Sequence, residues 1–175
     1  MKNIVITGFM GTGKSTVGKM LAEDYGLDFV DTDELIEKKA GGKRISEIFE
    51  ESGEAYFRKI ENDIIRDVSL RENTVISTGG GAIADKENLA LLKRKSIIIC
   101  LTARPEVILE RIRKEEGIRP LLKVEDPLKR IKELLDSRRE AYMRSDIIID
   151  TSDLTPGEAA KKIKIILKEK GIAKD

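Results

Sequence analysis

Apolar residues fall into two kinds of run along this chain. Five runs are short and continuous: NIVITG (3–8), DFVDT (28–32), TVIST (74–78), SIIICLT (96–102) and DIIIDT (146–151). Strands that are apolar throughout, without alternation, are covered on both faces, as in a parallel sheet. Between them, apolar positions recur at helical spacing. KSTVGKMLAEDYG (14–26) ends on a glycine, a common helix stop. In GEAYFRKIENDIIRDV (53–68), Phe57, Ile60, Ile64 and Val68 share one side. RPEVILERIRKEEG (104–117) and DPLKRIKELLDSRREAYMRS (126–145) carry Pro105 and Pro127 near their starts, and TPGEAAKKIKIILKEKG (155–171) closes the chain. The alternation predicts an α/β fold, a three-layer α/β/α sandwich on a five-stranded parallel sheet with right-handed crossovers. No repeat or linker interrupts it, so residues 1–175 are expected to form a single domain. The charged stretch RKEEGIRPLLKVEDP (113–127) is the candidate for a mobile excursion, with a plain solvated loop as the alternative.

Composition narrows the class. With 175 residues, 40% of them apolar, the chain can bury a real core. No apolar stretch is long enough to span a bilayer. One lysine precedes a β-like run that leads straight into a glycine loop, so the N-terminus reads as a first core strand and carries no signal peptide. The single Cys100 cannot form an internal disulfide, which fits a reducing cytoplasm, and its expected place is the core. Charged residues reach 37% but the net charge is only +1, which argues against a nucleic-acid-binding surface. High charge with few amides is a pattern of heat-stable proteins; melting near ordinary mesophile temperatures would refute that expectation. The chain has no histidine, so any general base must be Asp, Glu or Lys.

The strongest motif is GFMGTGKST (8–16), which fits G-x-x-x-x-G-K-[ST] between a predicted strand and a predicted helix. Gly8, Gly11 and Gly13 let the backbone wrap a phosphate, and the helix N-terminus adds a favourable dipole. Gly11, Thr12, Gly13, Lys14, Ser15 and Thr16 are the candidate ATP contacts. Lys14 is placed to reach the β- and γ-phosphates, and Ser15 to ligate Mg²⁺. The motif reports a nucleoside triphosphate and leaves the phosphate acceptor open.

Strand ends bear on the acceptor, because ligands in open α/β sheets bind outside the carboxyl ends of strands. DTD (31–33) ends the second strand and TGGG (78–81) the third. Asp31 and Asp33, at i and i+2 on a strand, point to the same face and can share work near the metal and acceptor. Alternatively, Asp33 is only the N-cap of ELIEKKA. Arg58 and Glu61 lie at i, i+3 beside the apolar stripe; alone, such a pair reads as a surface ion pair. Arg138 opens RREAY on another helix, and Arg119 sits in IRPLL within the excursion. Three successive glycines, Gly79, Gly80 and Gly81, imply a close approach to the backbone or, failing that, a flexible connector.

Taken together, GFMGTGKST, DTDELI, IFEESGEAYFRKIE, STGGGA, IRPLL, RREAY and DTSDLTPG resemble the shikimate kinases, in order and over nearly the whole chain. The resemblance implies transfer of the ATP γ-phosphoryl group to the 3-hydroxyl of shikimate, with Mg²⁺, in the pathway to chorismate and the aromatic amino acids. It implies that Asp33 holds the ring hydroxyls and is the candidate base, and that Asp31 supports Mg²⁺ through water. It assigns the substrate carboxylate to Arg58 and Arg138, with Glu61 holding Arg58 near the hydroxyls. Arg119 would come from a lid (about 112–125) to meet the ATP phosphates, making Lys14, Asp33 and Arg119 the catalytic set. The region about 33–62 would bind the acceptor. Pro120 matches the lid motif, and Pro156 lies beside adenine. A family arginine that stacks on adenine matches either Arg111 or Arg113. The glycine run would pass under the shikimate ring, a backbone N–H contacting the substrate, so that a Cβ at the middle position would fill the acceptor's space. The expected partners are shikimate and ATP, with no nucleic acid and no membrane, and nothing in the sequence demands more than a monomer. Competing readings are another small-molecule P-loop kinase, for gluconate or a nucleoside monophosphate, and a silent nucleotide-binding module.

Overall fold

In the computed structural model, residues 2–114 and 122–172 are described. The continuous apolar runs form the strands β1 (Asn3–Gly8), β2 (Asp28–Asp31), β3 (Thr74–Ser77), β4 (Ser96–Thr102) and β5 (Ile147–Asp150). They make one sheet in the order β2-β3-β1-β4-β5, and every pairing is parallel. Burial follows position in the sheet. All residues of central β1 and β3 are buried, whereas edge strand β5 alternates, with Ile148 facing out. The all-apolar run at 147–149 therefore overstated the covering of an edge strand.

Around the sheet lie α1 (Lys14–Tyr25), α2 (Thr32–Lys39), α3 (Ile45–Val68), α4 (Lys86–Lys95), α5 (Pro105–Lys114), α6 (Pro127–Met143) and α7 (Pro156–Glu169). Two apolar clusters sandwich the strands. One joins Val5, Ile76 and Ile98 to α3, α4 and Tyr142. The other joins Ile4, Ile6, Ile97 and Ile99 to α1 and α7. Cys100 is buried in the first of these clusters, and burial pushes its thiol up to about 12. Among the described residues, no helix is long and apolar enough to cross a membrane.

Local chemistry sets the ends of several helices. Thr155 caps α7 through a reciprocal box with Glu158, and Asp126 caps α6 by accepting from the Lys129 N–H. Two elements exceed the sequence expectation. Helix α3 begins eight residues before Gly53 and bends there, where the glycine takes φ 78° and ψ 172°. Helix α4 buries only Asn88, Leu89 and Leu92 and is held at its start by the Asp85 carboxylate. Residues 112–114, expected to open the lid, complete α5; 115–121, including Arg119 and Pro120, lie outside the described residues.

Candidate active site

The turn after β1 and the first turn of α1 form the phosphate loop. Gly8, Gly11 and Gly13 all take positive φ (133°, 73° and 89°), so the backbone path itself demands glycine. Gly13 is the N-cap of α1 and offers no side chain to its first amides. A helix start without a side-chain cap is the arrangement that suits an anion. The Lys14 ammonium donates to the Phe9 carbonyl at 2.9 Å, and Thr12 Oγ1 donates to the same carbonyl at 2.7 Å. Ser15 Oγ donates to Asp31 Oδ2 at 2.6 Å and lies 3.4 Å from Ser77 Oγ.

The acceptor side corrects one expectation. Strand β2 stops at Asp31, and Asp33 stands in the first turn of α2 rather than on the strand. The cap of α2 is Asp31, whose Oδ1 accepts from the Asp33 N–H at 3.0 Å. One Asp31 carboxylate thus binds the helix start with one oxygen and the Ser15 hydroxyl with the other. Asp33 is turned toward the glycine run, within 3.1 Å of where a Cβ on Gly79 would lie.

Arg58 and Glu61 form more than a surface pair. Arg58 Nη1 donates to Glu61 Oε2 at 2.6 Å, while Nη2 and Nε reach Glu54 Oε1 at 3.1 and 3.3 Å. The Glu61 side chain is 1% exposed and Arg58 is 28% exposed. Burial pushes the Glu61 carboxyl up, against the opposing pull of the Arg58 and Arg138 guanidinium groups. Glu61 Oε1 is buried with no hydrogen-bond partner among the described residues, a cost that a ligand hydroxyl would relieve. Arg138, 7% exposed, lies over the Phe9 ring at 5.4 Å.

The glycine run ties these groups together. None of Gly79, Gly80 and Gly81 takes positive φ, so space, not backbone conformation, is what excludes side chains. A Cβ on Gly79 would come 2.9 Å from Glu61 Oε1. On Gly80 it would meet the Gly8 carbonyl at 3.0 Å and Arg138 Nη1 at 3.2 Å, and on Gly81 both Arg58 terminal nitrogens at 2.8 Å. The close neighbours are thus the protein's own site groups. The expectation that a middle Cβ would fill acceptor space is corrected to this extent: it would first strike the phosphate loop and Arg138.

A cavity of about 590 Å³ gathers Lys14, Ser15, Asp31, Asp33, Arg58, Glu61, Gly79, Gly80, Gly81 and Arg138. Its apolar wall includes Phe49 and Phe57, whose rings lie 4.7 Å apart. Phe49 belongs to the part of α3 that the sequence pattern had not assigned. Ser77 was also missed; its position at the end of an apolar run was the available signal. A second hollow of about 400 Å³ holds Thr12, Gly13, Thr16, Arg111 and Pro156 on the other side of the phosphate loop. Arg111 donates to the Thr151 carbonyl at 2.6 Å and to Thr151 Oγ1 at 3.1 Å, while Arg113 is exposed on α5. Of the two candidate arginines, Arg111 is the one beside Pro156.

Donors for a hard cation are present: the Ser15 hydroxyl donates a hydrogen bond to Asp31 Oδ2 and keeps its oxygen lone pairs, with the Asp31 carboxylate adjacent. Among the described residues no cluster of three or more His, Cys, Asp or Glu forms a self-contained metal cage. That fits Mg²⁺, which binds through few protein oxygens together with phosphates and water.

A phosphate loop on the central strand, opening into an acceptor-sized cavity at the strand ends, defines a P-loop phosphotransferase for small molecules. Relatives narrow the class. The family model described as shikimate kinase matches residues 10–168. The chain is 52% identical over 163 residues to a shikimate kinase of Thermodesulfovibrio yellowstonii, covering 93% of each chain. It is 51% identical over 172 residues to one of Caldanaerobacter subterraneus subsp. tengcongensis, covering 98% of this chain and 99% of the other. Its structure is similar to that of shikimate kinase from Acinetobacter baumannii in complex with shikimate, with a TM-score of 0.92, 36% identity, and coverage of 99% of this chain and 96% of that one. A gluconokinase from Sinorhizobium meliloti shares the fold at a TM-score of 0.61 and 19% identity. This chain belongs to the shikimate kinase family.

Proposed function

We propose that this protein transfers the γ-phosphoryl group of ATP to the 3-hydroxyl of shikimate, giving shikimate 3-phosphate and ADP. The observation that carries the reading is the pairing of two anion sites in one cavity. One is the phosphate loop. The other is the pair Arg58 and Arg138, which line the same cavity from different helices. A small acceptor with a carboxylate at one end and a hydroxyl at the other fits between them, and shikimate is bound in the related A. baumannii enzyme.

In this reading Arg58 and Arg138 take the carboxylate, and charge-assisted hydrogen bonds of this kind contribute about 1.5–3 kcal/mol each. Glu61 holds Arg58 in place and offers Oε1 to a ring hydroxyl. Asp33 orients the attacking hydroxyl and accepts its proton; a carboxylate suffices when proton loss comes late in a loose transition state. Lys14 leaves the Phe9 carbonyl for the β- and γ-phosphates, and the loop N–H groups stabilise the charge that develops on the transferring oxygens. Ser15 holds Mg²⁺, with Asp31 acting through water; when bound, the ion neutralises charge on the phosphate oxygens. Adenine is placed between Arg111 and Pro156. Arg119, assigned by sequence, completes the positive field from the lid, whose closure excludes water. A reducing compartment such as the cytoplasm fits the single, buried cysteine.

The test is ADP release with Mg·ATP and, in turn, shikimate, gluconate, a nucleoside monophosphate or no acceptor. Release that depends on shikimate is the expected result. Release with gluconate instead would retain the phosphate-loop roles and discard those of Arg58 and Arg138. Bound ATP without release would leave a nucleotide-binding module.

A further inference from the structure

The glycine run closes a turn: the Ala82 N–H donates to the Gly79 carbonyl at 3.1 Å, with Gly80 and Gly81 at the two central positions. Gly81 has φ −102° and ψ −9°, the third-residue geometry of a type I turn. Turning the central peptide over gives a type II turn, which needs positive φ at the third residue. With any other side chain there, that state is strained; with glycine it is open. Glycine at this position therefore leaves both peptide orientations sterically open, and the choice between them decides where an N–H of the cavity wall points.

Tyr142 supplies the missing choice. Its phenol donates to the Gly80 carbonyl at 2.6 Å, across 62 residues of sequence. The residue is 5% exposed and belongs to the core cluster under α3. Burial pushes the phenol up to about 12, so it remains a donor at every working pH. Because the peptide is planar and trans, holding the Gly80 oxygen toward Tyr142 turns the Gly81 N–H the opposite way. Gly81 lines the acceptor cavity, and neither the Gly80 nor the Gly81 N–H has a hydrogen-bond acceptor among the described residues. Tyr142 also lies one helical turn after Arg138 on α6, and both are buried. One helix face thus fixes the carboxylate-binding arginine and the adjoining backbone donor together.

We infer that Tyr142 is a positioning residue: its hydroxyl holds the Gly80–Gly81 peptide in the one orientation that presents the Gly81 N–H to the acceptor. The inference rests on the phosphotransfer reading for its effect on turnover, but not for its effect on the backbone. Tyr142→Phe keeps the ring in the core and removes the bond to Gly80 together with the hydroxyl's interaction with the Arg138 guanidinium, so the backbone measurement is the one that isolates the lock.

Two measurements on the full chain test it. By NMR relaxation dispersion without substrate, the amides of Gly80 and Gly81 in Y142F are expected to show microsecond-to-millisecond exchange that the parent protein lacks. In steady-state assays of the same variant, the shikimate KM is expected to rise about tenfold, the value of one lost hydrogen bond, with the ATP KM unchanged. Quiet glycine amides in Y142F would overturn the inference whatever the kinetics. Equal rises in both KM values would also overturn it, since they mark a general loss of structure. If Y142F does not fold, shikimate titrated into the parent protein decides: the Gly81 amide resonance must shift, and an unmoved Gly81 amide overturns the assignment. Absence of shikimate turnover by the parent protein would refute the phosphotransfer reading alone, leaving the exchange measurement to judge the lock.

Discussion

The phosphate loop and the glycine run are both glycine-rich turns at the carboxyl ends of adjacent strands, yet Gly13 of the one and Gly81 of the other are glycine for opposite reasons. In the loop, Gly13 takes φ 89° and a Cβ there would find only Val17, at 4.0 Å. At Gly13 the backbone conformation is the constraint and space is not, whereas Gly8 of the same loop is held by both, since a Cβ there would collide with the Leu101 carbonyl oxygen. In the run, Gly81 has an ordinary φ of −102°, but a Cβ would lie 2.8 Å from the Arg58 guanidinium. Space is the constraint and the conformation is not. The loop shapes itself around an anion that arrives from outside. The run instead leaves room for the protein's own charged groups, which can then crowd against backbone and converge on the acceptor. Identical composition therefore says little about what a glycine does; φ and the nearest atoms separate the cases.

Removing the cation of the loop tests the donor side most severely. Lys14→Ala is expected to lower kcat roughly 10²- to 10³-fold, the usual cost of one electrostatic donor to a transition state, with a small effect on shikimate KM. A loss below about tenfold would remove Lys14 from the catalytic set. Arg138→Ala tests the acceptor side. Loss of a charge-assisted bond of about 1.5–3 kcal/mol predicts a shikimate KM roughly 10- to 100-fold higher with ATP KM unchanged. If ATP KM rose in parallel, the two sides would not be separable as drawn.

The glycines themselves give a smaller but more pointed pair of variants. Gly13→Ala forces an L-residue into the left-handed region at a cost of about 1–2 kcal/mol, so it should lower stability and weaken ATP. In Gly81→Ala the backbone accepts the methyl group, and lower unfolded-chain entropy contributes about 0.4–1 kcal/mol of stability. Displacement of the flexible Arg58 head offsets that gain. Its denaturation midpoint should stay close to the parent's while shikimate KM rises several-fold. If both variants lost stability alike, the distinction between conformation and space would fail.

How much of this was legible in the sequence follows the same division. The strands and the phosphate loop were readable because each is local: a continuous apolar run, a fixed glycine spacing, a strand before and a helix after. Arg58 and Glu61 were readable as a helical pair but not as a buried one, since their burial comes from packing against a turn some twenty residues away. Asp33 was assigned to a strand because the i, i+2 spacing suits one; the helix begins earlier because the Asp31 carboxylate caps it. The first part of α3 was missed because Gly53 reads as a stop, and here it only bends the chain. Helix α4 was hidden by its charge, with few apolar positions to mark a period. Tyr142 carries no sequence signal for its bond to Gly80, because a backbone carbonyl 62 residues away leaves no mark in a periodicity.

The smallest expected effect concerns the charge that the glycine run encloses. Burial raises the Glu61 carboxyl above its ordinary value of 4.5, with Arg58 and Arg138 only partly opposing the shift. A raised carboxyl binds its proton more tightly in the folded than in the unfolded chain. Its contribution to stability is therefore fully present below the ordinary value and is lost as pH rises through the folded one. Glu61→Gln has no such titration, although it gives up the charge-assisted bond to Arg58 at every pH above the window. The difference in unfolding free energy between variant and parent should thus move in the variant's favour across the window opening near pH 4.5, then stay level. Urea denaturation from pH 4 to pH 8 measures it. A difference that instead moves in the parent's favour across that window would mean that the ion pair with Arg58 outweighs burial, and that the acceptor side tolerates enclosed charge as easily as the open phosphate loop does.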